Sequence, residues 1–504
     1  MEMFRNLWRL LRPPPPPNYD GIDLDTPLMY EDEDEEMKPE IDLPIVHRKN
    51  RLYTALYTTI STSAVFLIPS FLQRSNASSK LGKITETSYL NGVRGLASFL
   101  VYFQHIATEY GDWIHYGYHS RPDDNYVVQM PFIRLLYSGR FMVAIFFVLS
   151  GYVLSYKPLQ LSRKHDTGLL FDKLASGLFR RAPRLFLPVV PVMIITAIFG
   201  VYYGCYGVGR PSDGGCSDTE ATLWLQLVGT FHIFIQMLDP FTWGEFYPPG
   251  VPQLWTLPME FRGSIVVFML VLALGNAKPT IRFLLLLLAA YSAFHYTRWD
   301  TLLFISGVLL AELRILRTSS PTLSSLLPNT TLASTLKFLS ATFWLSTLTL
   351  SLFLGSWPAF AACQSPGFSH ICPYTPTSYT GVAQQYFFIS VAAILLLLSL
   401  ENLSLLQKPF VTPLANYFGD ISFGLYIVHF PFLQTVGRWV IVNTIRWTGD
   451  EGFGYQAFPR GFFLGSVLIT PFVIWLSDIH WRLFDVKSVG FARWLAGKCF
   501  LGKK

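Results

Sequence analysis

Few ionisable side chains interrupt the apolar stretches of this chain, and the spacing of those few suits a reaction centre. Arg94 and His105 stand eleven residues apart in one apolar run. On a helix that is roughly 16 Å, about half a bilayer core, and close to three whole turns, so both fall near one face. An imidazole titrates near neutrality, so His105 can take the proton of a hydroxyl as its oxygen attacks a thioester. Glu109, four residues on, is placed to orient it. The plainer alternative is a structural histidine with Glu109 in water beyond the helix end. Glu260 lies just inside the start of another apolar run, where an acid needs a partner. It is expected on the same side as His105, holding the imidazole or an acceptor hydroxyl, unless it pairs structurally with Arg262 or an outer-loop arginine. His429 is a third intramembrane candidate, and hydrogen-bonded helix packing is the equal alternative. Arg180, Arg181 and Arg184 crowd five residues at the expected start of a helix. A guanidinium fork and a helix N-terminus both suit phosphate, although headgroup snorkelling or topology marking explains such a cluster as well.

Positioning these groups requires membrane helices. Of the 504 residues only 14% are charged, against about 25% in soluble domains, and long apolar runs account for the deficit. The expected fold class is therefore all-α, a polytopic membrane helical bundle. About ten spans are expected, at 91–108, 134–157, 184–204, 254–274, 281–297, 301–316, 339–357, 382–400, 415–436 and 461–482. The run 222–238 is less apolar, with Gln226, His232 and Gln236, and is expected to be re-entrant or at the surface. If residue 91 starts in the cytoplasm, alternate loops are all basic, as the positive-inside rule asks. The opposite loops then hold Cys205 with Cys216 and Cys363 with Cys372, in the compartment where disulfides persist. Counting 222–238 as a span breaks both correlations. Both termini are therefore expected in the cytoplasm, and the sequons at Asn76, Asn329 and Asn402 on the unglycosylated side.

Residues 1–85 read as a largely disordered cytoplasmic tail. It carries a basic amphipathic piece over Phe4 to Arg12, a polyproline run over Pro13 to Pro17, and an acidic block over Glu31 to Glu36. Its segment 52–72 has positive charge on both flanks and reads as interfacial or re-entrant. Residues 86–485 read as the membrane domain and 486–504 as a basic cytoplasmic tail. The net charge of +6 fits basic loops, and no nucleic-acid motif is present. The cysteines show no metal-ligand spacing, and His105, His115 and His119 show nothing that fixes a zinc geometry, so no metal is expected.

Five stretches in order resemble one known family. LNGVRGLASFLVYFQH, from Leu90 to His105, resembles the opening motif of the acyltransferase 3 family, L-D-G-x-R-G-x-A…H, with Asn91 in place of the usual Asp. That replacement leaves Arg94 with no expected local partner. FMVAIFFVLSGYVLSY resembles the second-helix motif, with Ser150 and Gly151 at its close-approach point and Arg140 just ahead. Arg181, Arg184 and Pro188 match R-x-x-R…P, and Trp255 to Phe261 resembles W-[ST]-L-x-x-E. Ser422 to Pro431 resembles the late motif that ends in His-x-Pro.

The resemblance, fungal-like in layout, implies an integral-membrane O-acyltransferase. It would move an acyl group, acetyl in the first instance, from acyl-CoA as co-substrate to a hydroxyl of a glycan, lipid or secondary metabolite. Arg94, Arg180, Arg181, Arg184, Ser150 and Gly151 would contact the donor; His105 would act as general base or carry the acyl group, with Glu260 as its partner; Arg140, Trp255 and His429 would face the acceptor. Membrane lipids would surround it in the endoplasmic reticulum or another endomembrane. A transporter or lipid translocase using the same cavity is the alternative, against which there is no internal repeat. A sensor or scaffold that recruits partners through its tail is a third.

Overall fold

A computed structural model describes residues 66–72, 87–203, 220–318, 331–449 and 460–500. The tail motifs, most of 52–72, Cys205 with Cys216, and the sequons at Asn76 and Asn329 lie outside these residues.

The described chain is helical throughout. In order the helices are α1 (Ser88–Tyr110), α2 (Gly139–Arg163), α3 (Thr167–Phe186), α4 (Val190–Tyr203), α5 (Leu223–Met237), α6 (Thr256–Leu274) and α7 (Pro279–His295). Then follow α8 (Trp299–Thr318), α9 (Thr331–Gly355), α10 (Val382–Asn402), α11 (Pro413–Phe432), α12 (Arg438–Trp447), α13 (Arg460–His480) and α14 (Val486–Cys499). Local sequence explains several starts. Asp166 caps α3 by accepting from Leu169 N at 3.0 Å. Thr412 caps α11 by accepting from Ala415 N, with Pro413 at the first helical position, where its missing N–H costs nothing.

Among the described residues seven helices, not about ten, are long and apolar enough to cross a membrane. Helices form at all ten expected places, but three fall short of that standard. α7 has 17 residues, about 26 Å, against a core of about 30 Å. α8 carries Asp300, Glu312, Arg314 and Arg317. α1 carries Asn91, Arg94, Gln104, His105 and Glu109. Composition alone treats such polar groups as interruptions, whereas here neighbouring helices meet several of them. The fully buried Glu312 accepts from Arg163 Nη2 at 2.7 Å and Arg282 Nη2 at 3.0 Å. Arg314 reaches Glu401 at 2.8 Å, and Tyr89 Oη donates to the same carboxylate at 2.5 Å. α5 has 15 residues, about 22 Å, short for a span. Residues 486–499, expected as tail, form α14, which packs on α3.

Two backbone crossings hold the bundle close. A Cβ at Gly95 of α1 would collide with the backbone of Gly419 in α11. A Cβ at Gly151 of α2 would meet Phe304 O of α8, and one at Gly307 would meet Val148 O in return. Gly151 therefore serves helix contact, the small-residue packing expected of membrane helices.

Two loops close the end of the bundle where α1 finishes. Residues 111–138 meet residues 356–381 through Phe360 N, which donates to His115 O at 3.0 Å. The second loop carries the Cys363–Cys372 disulfide. The first is organised on Asp124, which is buried and accepts from Arg121 Nε at 2.9 Å, Ser120 Oγ at 2.8 Å and Gln129 Nε2 at 3.0 Å. Burial opposes ionisation of Asp124, but these donors outweigh it and hold its carboxyl below the usual range. A depressed carboxyl stabilises the fold above its unfolded value of about 3.9, and that contribution is lost as pH falls through the folded value. Asp124→Asn should therefore cost about 1–3 kcal/mol at neutral pH. Thermal unfolding of both proteins in detergent should show the gap narrowing as pH drops below about 4.

Candidate active site

A cavity of about 190 Å³ opens between α1, α2, α3, α6, α11 and the turn that joins α13 to α14. Its lining includes Arg94, Arg181 and Arg184 and the carboxylates of Glu260, Asp420 and Asp485. Three guanidinium groups thus face three carboxylates. The expected basic mouth is, at the described lining residues, charge-balanced.

Each charge is held by a different element. Arg181 Nη2 pairs with Glu260 Oε1 at 2.5 Å, with side chains 8% and 13% exposed. Arg181 Nε donates to Ser264 Oγ at 2.8 Å, and that hydroxyl donates to Glu260 O at 2.6 Å, so α3 is clamped to α6 at two points. Ser150 of α2 lines the cavity with Glu260. Glu260 was expected to orient His105 or pair with Arg262; its carboxylate meets Arg181 instead. Arg262 turns to Gly244 O and lies over the Trp243 ring, 5.6 Å from its centroid.

Arg94 also has a local partner, contrary to the expectation drawn from Asn91. Its Nη2 donates to Asn91 Oδ1 at 2.8 Å and to Gly419 O at 2.7 Å. Asn91 Nδ2 in turn donates to Asp420 Oδ1 at 3.2 Å, so a neutral amide bridges cation and anion. Asp485 interacts electrostatically with both Arg94 and Arg184. It ends the π-helical turn Trp481–Asp485, a widened turn of the kind often found at functional sites. His480, just ahead of that turn, binds Pro188 O at 2.9 Å and so ties it to the chain after α3.

The arginine cluster does not open a helix. Its helix begins at Thr167, and Arg180, Arg181 and Arg184 sit in the last two turns, with Pro183 accommodated inside. The chain continues through a 3-10 turn, Leu187–Val189, into α4. A helix C-terminus favours cations and gives no N–H groups to a phosphate. Arg180 is buried, donates to Ser176 O at 3.2 Å and is absent from the cavity lining. Gly151 is absent too, for the packing reason given above.

His105 and His429 lie together beyond the cavity, with ring centroids 5.1 Å apart. His429 is fully buried; its Nδ1 donates to Leu425 O at 2.8 Å and its Nε2 has no hydrogen-bond partner. Arg140 bonds Gln385, and Trp255 stacks on Tyr247 at 5.6 Å; both are outside the cavity. Among the described residues no group of three His, Cys, Asp or Glu side chains converges as metal ligands.

Asp420, Asp485 and Tyr426 were not singled out from the sequence. Asp420 offered a signal, a lone acid in the apolar helix α11. Asp485 offered none, because its partners come from α1 and α3.

The Arg181–Glu260 pair carries a direct test. Glu260→Leu takes the carboxylate away from a buried guanidinium and should cost about 3–5 kcal/mol. The double replacement Glu260→Leu with Arg181→Met should recover most of that loss, as read by thermal unfolding of the purified protein.

Comparison with known proteins agrees with the motif order. The profile of a family described as an acyltransferase domain, Acyl_transf_3, matches residues 87–482. The chain is 31% identical over 457 residues to O-acetyltransferase PaAT-1 of Phomopsis amygdali, covering 85% of this chain and 87% of that protein. It is 23% identical over 451 residues to acyltransferase clz18 of Cochliobolus lunatus, covering 79% and 93%. No solved structure matches it. On the profile match and the 31% relative together, the chain belongs to the acyltransferase 3 family.

Proposed function

We propose that the protein transfers an acyl group, acetyl in the first instance, from a coenzyme A thioester to a hydroxyl of a glycan, lipid or secondary metabolite. The observation that carries this reading is the charge-balanced cavity flanked by an imidazole pair, in a chain of this family. The acetyl donor is favoured by the 31% identical relative, an O-acetyltransferase by name.

The cavity's size and charge bear on how the donor fits. Drug-sized ligands fill about 300–1,000 Å³. A smaller space with no net charge suits the uncharged pantetheine arm and its thioester, and leaves the nucleotide end outside. Arg94 and Arg184 face that arm. Arg181 is committed to Glu260 and fixes the wall, so Glu260 acts as a positioning residue here. Arg180, behind the wall, would serve the nucleotide end only indirectly.

His105 is the proposed general base. It takes the acceptor's hydroxyl proton as the C–O bond forms; the C–S bond breaks, and the leaving thiolate recovers a proton. His429 supports it, since its Nδ1 is engaged and its Nε2 is bare. Arg140 and Trp255 lie toward the opposite face, from which an acceptor would enter. In this reading both termini lie in the cytoplasm, the membrane is an endomembrane such as the endoplasmic reticulum, and the donor enters from the cytoplasmic side.

Purified full-length protein given labelled acetyl-CoA and an extract of candidate acceptors should label an organic-soluble or glycan product. His105→Ala should cut that labelling by about 10²–10⁴-fold while protein yield and thermal stability stay the same. Undiminished labelling in that variant rules out His105 as the base.

A further inference from the structure

Tyr426 both lines the cavity and packs beside the imidazole pair. Its side chain lines the cavity, and its ring centroid is 6.1 Å from that of His429, three residues on along the same face of α11. The Tyr426 hydroxyl is held at two points. It donates to Gln253 O and, its one proton thereby used, accepts from the Thr256 hydroxyl at 2.5 Å. Both partners belong to the junction of the 3-10 turn Pro252–Trp255 with α6. Gln253 Nε2 adds a second tie to α11, donating to Ile427 O at 3.2 Å.

Two buried polar atoms beside this ring have no hydrogen-bond partner: His429 Nε2 and Gln253 Oε1. Their residues are 0% and 2% exposed. Buried polar groups in folded proteins are nearly always satisfied, so two orphans beside one ring call for an explanation.

We infer that Tyr426 is a swinging partition between the cavity and the His105–His429 pair, and that Gln253 Oε1 and His429 Nε2 gain polar partners from the reactants when it opens. This rests on the acyl-transfer reading for its purpose, though not for its geometry. Closed, the ring keeps a bound thioester away from the imidazoles and from water that they would activate. Open, it joins the two chambers. If the ring is loosened, water takes the acceptor's place: its oxygen bonds the acyl carbon, the C–S bond breaks, and acetate and free coenzyme A thiol leave.

The test has two arms. In the first, full-length protein bearing Cys499→Ser and His429→Cys is treated with methyl methanethiosulfonate, and modification at position 429 is followed by peptide mass. Labelling should be slow with Tyr426 intact, at least tenfold faster with Tyr426→Ala, and intermediate with Tyr426→Phe and Thr256→Val, which keep the packing. Equal rates across all four backgrounds overturn the partition. In the second arm, proteins with His429 intact receive acetyl-CoA and no acceptor, and free thiol is measured. Tyr426→Phe should release thiol at least fivefold faster than the unsubstituted protein, and His105→Ala added to it should return the rate to background. Thiol release that depends on His105 yet ignores Tyr426 also overturns the partition, while leaving acyl transfer standing. No donor binding and no thiol release in any protein rejects the acyl-transfer reading, and a graded labelling series still upholds the partition.

Discussion

Charge buried in a low-dielectric bundle must be paired or it destabilises the fold by several kcal/mol per ion. The architecture around the cavity follows from that constraint. Arg181 and Glu260 come from neighbouring helices, α3 and α6, with Ser264 taking the Arg181 Nε that the pair leaves over. Arg94 reaches Asp420 through the amide of Asn91. Asp485 reaches Arg94 and Arg184 from the far end of the chain. Ion pairs of this kind fix which helices are neighbours more than they add net stability, since hydrophobic replacements can often do as well. Their place in the wall of a cavity, rather than in the packed core, makes them candidates for function.

Close helix crossings make this pairing reachable. Gly95 against Gly419 brings α1 onto α11 at the level of Arg94 and Asp420. Gly151 against Phe304 brings α2 onto α8, which turns the adjacent Ser150 toward the cavity. Successive residues on a helix point about 100° apart, so a glycine in the contact puts its neighbour at the rim of that contact. The Ser-Gly pair thus divides its labour, glycine for packing and serine for the cavity. The same bundle also buries a second set of charges, Arg163, Arg282 and Glu312, that is remote from the cavity lining and ties α2, α7 and α8 together.

The imidazole pair occupies a different environment from the charged cavity. His105 and His429 sit among aromatic rings, with Phe430 5.3 Å from His105 and Tyr102 6.3 Å from His429. Such a setting excludes water and leaves the unengaged ring nitrogen as the local polar handle. Because Tyr426 lines the cavity and packs beside His429, while neither imidazole lines the cavity, donor binding and base chemistry need not share a continuous space at rest.

The amino-acid sequence alone determined the all-helical membrane class, the order of the motifs and the family, because hydrophobic runs and short motifs are local properties. It also pointed to candidate site residues, since an ionisable residue in an apolar run stands out wherever the run goes. It did not determine how those charges are matched. Glu260 chose Arg181 over Arg262, and Asn91 served Arg94 in place of the missing carboxylate. Asp485, read as the edge of a tail, came back to the cavity on a widened turn. Nor did it determine that the arginines end a helix rather than begin one, since the helix starts at Thr167 and accommodates Pro183 within it. Pairing, burial and the placement of Tyr426 depend on contacts between residues hundreds of positions apart. Only the packed bundle decides those, by requiring every buried charge to find its opposite.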